Sequence, residues 1–142
     1  MTYFNSKTNL VIIDVVILIV RLFVGFAMLS HGFPKLQMLL EGGEIKFFDF
    51  LGMGPKISLI LTVFAEFVCS IFLILGLFTR IAVGFLMFTM VVAGFVVHGS
   101  DAFDKREMSL LYLSIYFLIM ALGAGRFSID GMIEKKRRAS EW

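Results

Sequence analysis

A single arginine in the middle of an apolar run limits the folds open to this chain more than any other feature. From Leu10 to Ser30 the residues are almost all aliphatic, aromatic or small, yet Arg21 interrupts them. About 20 such residues form a helix of roughly 30 Å, the thickness of the hydrocarbon layer of a bilayer. A charge at that depth is costly, so it faces other helices, finds a partner and tends to mark a site. Gly25, Met28 and Gly32 follow Arg21 at helical spacing, so the arginine shares a face with two glycines that let a neighbouring helix come close.

Three more apolar blocks follow, and together they account for a sequence that is 59% hydrophobic with 17 phenylalanines. The blocks run over residues 10–30, 57–77, 81–97 and 108–124. The expected fold is all-α: one integral membrane domain over residues 1–142, a bundle of four transmembrane helices with no room for a soluble domain. The first block is longer than a secretory signal's apolar core and no small-x-small cleavage pattern follows it, so it is expected to be retained. Cys69 is the one cysteine, which excludes an internal disulfide or a dithiol redox motif.

Arranged on four crossings, seven lysines and arginines fall on the side of the termini and five on the other. The positive-inside rule then puts both termini in the cytoplasm, as for a bacterial inner-membrane protein. Lys135, Lys136, Arg137 and Arg138 read as a topology anchor or a contact to lipid headgroups, not as a nucleic-acid site. Tyr3 and Phe4 are expected at the inner interface.

Pro34 has no amide proton for the Ser30 carbonyl, so the first helix is expected to bend or end near His31 and leave a polar pocket on the outer side. Residues 44–51, EIKFFDFL, read as a short interfacial helix between the first two spans, bounded by glycine turns. In the second block Thr62, Glu66, Cys69, Ser70 and Leu73 share one face. Counted from the outer ends, Arg21 and Glu66 both lie roughly 14 Å deep, which predicts an Arg21–Glu66 ion pair. Whether such a pair only fixes helix register or handles ligand and protons is open at this stage.

His31 and His98 fall at the outer ends of the first and third blocks, with Lys35 close by. They read as plain interfacial residues, as contacts to a quinone head-group or substrate, or, with less to support it, as haem or metal ligands. No metal site is assigned. Asp101, Asp104 and Glu107 form a solvated charged loop, and Glu107 opens the fourth helix, where a carboxylate suits the helix dipole.

Arg21 with Gly25, His31-Gly32, Lys35, Gly54-Pro55, Glu66, residues 76–80, His98, Glu107 and the closing GAGRFSID of 123–130 together resemble the DoxX family of small membrane proteins. The resemblance implies a four-helix membrane subunit of an oxidoreductase, linked in its best known relatives to thiosulfate and quinone chemistry, with a soluble or membrane redox partner. On it rest the candidate ligand-binding and proton-handling residues Arg21, His31, Lys35, Glu66, His98 and Glu107, with no catalytic residue assigned. A quinone is the cofactor it suggests, and association into homo-oligomers is open. The rival reading is a non-catalytic scaffold, an assembly factor or a small-solute transporter. The apolar inner halves of the helices argue against a continuous polar channel.

Overall fold

The computed structural model describes residues 9–140, so Tyr3, Phe4 and Lys7 lie outside the described residues. The chain is helical throughout its apolar blocks. Helix α1 spans Leu10–Glu41, with the Asn9 side chain accepting from the Val11 amide at its start. The second rod is composite: α2 (Pro55–Val63), a π-helical turn π1 (Phe64–Val68) and α3 (Cys69–Leu75). The third is α4 (Thr79–Val91) continued by a second π turn, π2 (Val92–Val97). Helix α5 runs over Phe103–Leu122 and a shorter α6 over Ile129–Ser140.

Three of these rods, Leu10–Glu41, Pro55–Leu75 and Thr79–Val97, are long and apolar enough to cross a membrane. Their outward faces are apolar too: Phe23 is 72% exposed, Phe26 58% and Phe117, on α5, 63%. Burying apolar area is therefore not what orders the surface, and those faces suit lipid. The interior packs Val24 and Met28 of α1 with Leu73, Val83, Leu86 and the fully buried Tyr116.

Two expectations are corrected here. Of the bend or end expected near His31, the end does not occur, since α1 continues to Glu41 with Pro34 inside it. The turn loses a single amide donor, a cost that membrane helices tolerate when nearby groups re-satisfy the freed acceptor. Residues 44–51 form no helix. Side chains there take the bonds a helix would have made: Gly54 N donates to Asp49 Oδ1 at 2.8 Å and Phe50 N to Ser58 Oγ at 2.9 Å. Leu51 adopts a left-handed φ of 56°, and Phe47, Phe48 and Phe50 are drawn onto a cavity instead of into a headgroup plane. The fourth block also shifts, since α5 takes in the charged residues 104–107 and stops at Leu122 before Gly123.

The turn after α3 is a Schellman motif. Gly76, at φ 67°, donates its amide to Leu73 O, and Leu77 N reaches back to Phe72 O. The start of α4 is then capped from far along the chain: Phe78 N and Thr79 N donate to the two oxygens of Asp130 at 2.9 and 2.8 Å, and Asp130 N donates to Gly76 O. Replacing Asp130 by Ala removes an ionised cap on these amides and is expected to cost about 1–2 kcal/mol, read as a lower unfolding temperature in detergent. Asp130→Asn, which keeps one acceptor oxygen, should lose less.

Candidate functional site

The two buried charges of the bundle do not meet. Arg21, 1% exposed, donates through Nη1 to the carbonyl of Ala124 and through Nη2 to the carbonyl of Phe127 at 2.7 Å. Glu66, 4% exposed, instead accepts from Lys35 Nζ through Oε2. The predicted Arg21–Glu66 ion pair is thus replaced by two separate sites. The reason is the true end of α1. A methyl built on Gly32 would lie 2.8 Å from the backbone carbonyl of Glu66, so Glu66 is level with Gly32, eleven positions or roughly 16 Å from Arg21 along the helix. Depth counted from Ser30, as though the helix stopped there, is wrong by the length of its continuation to Glu41.

Around Arg21 the segment 123–130 folds back onto the N-terminal half of α1. Arg126 N donates to Asp14 Oδ1 at 2.9 Å and its Nε lies 3.5 Å from Asp14 Oδ2. Gly76 closes this region, because a methyl there would sit 2.6 Å from Arg21 Nη1 and 2.4 Å from Ser128 Cβ. The guanidinium is a clasp for backbone carbonyls.

The Lys35–Glu66 pair borders a cavity of about 390 Å³ between the second rod, α4 and the loop 47–50. Its walls are mostly apolar and include six phenylalanines: Phe50 packs edge-on to Phe88, and Phe64 edge-on to Phe85. Ser58, Thr62 and Thr89 also line it, but their hydroxyl protons go to the carbonyls of Gly54, Ser58 and Phe85. The ion pair is the strongest polar feature on the lining. Both π turns border this cavity, π1 through Phe64, Ala65 and Glu66 and π2 through Val92, Ala93 and Val97. Such turns widen a helix by one residue and occur often at functional sites, here setting Glu66 at the cavity edge.

His98 lies at the end of π2 on the same lining, its Nδ1 2.7 Å from Asp101 Oδ2. This hydrogen bond, helped by Lys105 and Arg106, holds the Asp101 carboxyl below its usual range. The structure thus brings Lys35, Glu66 and His98 to one cavity and leaves the other candidates off it. His31 is exposed, its ring edge-on to Tyr112, and Glu107 is exposed on α5. Arg21 belongs to the clasp on residues 124–127. Sequence reasoning placed Thr62 on one face with Glu66 but missed the loop phenylalanines and Thr89 of the cavity. The phenylalanines were readable as apolar but were assigned to a helix that does not form.

A DoxX family model matches residues 16–99, more than half of the chain. The chain belongs to the DoxX family. No curated protein and no solved structure matches it. The DoxX match contains Arg21, Lys35, Glu66 and His98, and so both partners of the cavity's ion pair, but it stops before α5 and the 123–130 segment that holds Arg21. Within the DoxX region Gly32 is the contact on which that pair's geometry rests. Gly32→Ala sets its new methyl against the backbone of π1, which cannot yield as a flexible side chain would. It is expected to cost about 1–3 kcal/mol and to lower the unfolding temperature, whereas Gly84→Ala, whose methyl meets only the tip of Met120 at 3.8 Å, should leave it nearly unchanged.

Proposed function

We propose that this DoxX protein is the membrane subunit of a redox system and binds a quinone in the outer-half cavity. The observation that carries the reading is the ion pair between half-buried Lys35 and buried Glu66 at the edge of a phenylalanine-lined cavity of about 390 Å³, bordered by two π turns. Phenylalanine rings suit a flat ring, Lys35 Nζ can donate to a quinone carbonyl, and the Glu66 carboxylate can accept from the hydroxyl of the reduced form. A small sulfur anion fits less well, since the pair's charges cancel and the remaining lining is apolar. The buried Cys69 lies off this cavity, so in this reading the electrons come from a partner subunit, while Glu66 and the His98–Asp101 pair handle protons at the outer side.

In this reading the chain crosses a bacterial inner membrane four times. Helix α5 supplies the fourth crossing: its C-terminal end reaches the inner clasp near Asp14 and Arg21, while Tyr112, farther back on the same helix, touches His31, ten residues beyond Arg21 on α1. Both termini then lie in the cytoplasm, where α6 rests its exposed Met132 and Ile133 on the interface beside basic residues that meet lipid headgroups.

The test is chemical analysis of the purified protein with its extracted lipids, followed by equilibrium binding of a short-chain benzoquinone. Stoichiometric quinone and saturable binding are expected. Thr89→Phe, which fills the cavity from α4, should abolish both while the protein remains folded. A lipid extract free of quinone, together with no saturable binding, would remove the redox reading.

A further inference from the structure

The cavity has an extension that a quinone ring does not use. A second hollow of about 200 Å³, with no polar surface on its walls, lies in the same seam toward the inner side. Phe72, Ile81 and Ala82 line it, and Phe64 and Phe85 line both hollows. The two hollows therefore meet at that edge-to-face pair, which stands between them with ring centres 5.3 Å apart and residues 39% and 47% exposed. On the third rod the residues facing the two hollows form one stripe, Phe78 just before α4, Ile81, Ala82 and Phe85 below, then Phe88, Thr89 and, at the start of π2, Val92 above. Their spacing of three and four is that of a single helix face. The stripe from Phe85 down to Phe78 covers roughly 10 Å of the bilayer's depth.

Resting on the quinone reading above, we infer that this lower groove is the subsite for the ligand's hydrocarbon tail, so that the protein selects quinones by their side chain as well as by their ring. The polarity gradient sets the orientation. Lys35, Glu66 and His98 line the outer hollow and none of them lines the lower one, so a ligand with a polar ring and an apolar tail places the ring beside Lys35 and Glu66 and runs its tail inward past the Phe64–Phe85 pair. The exposed edges of that pair leave the seam open to the side, so the ligand arrives from the lipid and not from water. A tail leaving the bilayer gains nothing from the hydrophobic effect, because lipid chains are as apolar as the groove. Its contribution comes from packing against rigid aromatic walls, which favours a methyl-branched isoprenoid chain over a straight one.

The experiment uses the full chain in lipid nanodiscs and compares a benzoquinone bearing no tail, a geranyl tail or a decyl tail. Affinities are referred to the quinone dissolved in the bilayer, so that simple partitioning drops out. The geranyl compound is expected to bind about tenfold tighter than the bare ring, with the decyl compound between them. In Ala82→Phe and in Ile81→Trp, which crowd the groove from a buried and an exposed position, that ratio should fall to near unity. Ile81→Trp decides the matter if Ala82→Phe does not fold. Equal affinities for all three compounds in the native protein leave the tail in the bilayer and overturn the inference while the ring site stands. A tail effect that persists in the crowded variants overturns it equally. Failure of every compound to bind removes the ring site and the tail subsite together.

Discussion

Arg21→Met is expected to destabilise this protein by about 3 kcal/mol or more and to release its C-terminal segment from the bundle. The guanidinium makes charge-assisted bonds to the carbonyls of Ala124 and Phe127, each of the kind worth roughly 1.5–3 kcal/mol. Methionine fills much of the volume but leaves both acceptors buried beside the apolar face of α1. Lysine does not rescue the site, because a single ammonium cannot span two carbonyls as a planar fork does. Detergent unfolding should therefore rank native above Arg21→Lys and Arg21→Lys above Arg21→Met. A second readout locates the effect. In detergent trypsin should cut the Arg21→Met protein after Arg126 much faster than the native one, because the Arg126 amide is tied to Asp14 only while the segment is docked. An unchanged unfolding midpoint with unchanged cleavage at Arg126 would mean that the clasp contributes nothing.

The apolar blocks were legible because they are read by length and composition alone. So was the approach of helices at the glycines: Gly25 lies against Ile74 and the carbonyl of Ser70, and Gly32 against the backbone of Glu66. Pairing across helices was not legible. It depends on axial register, which was inferred from where α1 ends, and Pro34 gives a stop signal that the membrane helix overrides. Lys35 and Glu66 were each singled out, yet their pairing follows only once α1 extends to Glu41. The π turns were invisible for a different reason. FAEFV and VAGFVV contain no proline and no unusual polar pattern, so the extra residue per turn is fixed by packing around the cavity and not by local sequence. The closing GAGRFSID supported the family resemblance, but its role as Arg21's partner lies in its carbonyls, which no side-chain pattern reveals.

Lys35→Met should be more damaging than Glu66→Gln, although both break the same ion pair. The partners are not equally desolvated: the Lys35 side chain keeps 28% of its surface exposed, the Glu66 side chain 5%. Removing the lysine strands a buried carboxylate inside π1, a loss of about 3–5 kcal/mol when a pair is broken from one side. Removing the glutamate's charge leaves an amide oxygen that still accepts from Lys35, and the flexible ammonium can lean toward the headgroups, so about 1 kcal/mol is expected. The double variant, Lys35→Met with Glu66→Gln, should recover much of the loss of Lys35→Met, since no unpaired charge remains. Quinone binding follows another order. It should survive in weakened form in Glu66→Gln, which retains the Lys35 donor, and vanish in Lys35→Met and in the double variant even where the fold is restored. Unfolding midpoints of the three proteins, set beside their quinone affinities, separate the pair's structural part from its ligand-binding part. If Glu66→Gln proved the costlier single change, the carboxylate would not be the desolvated member of the pair, and the orientation of the site toward a ligand through Lys35 would be wrong.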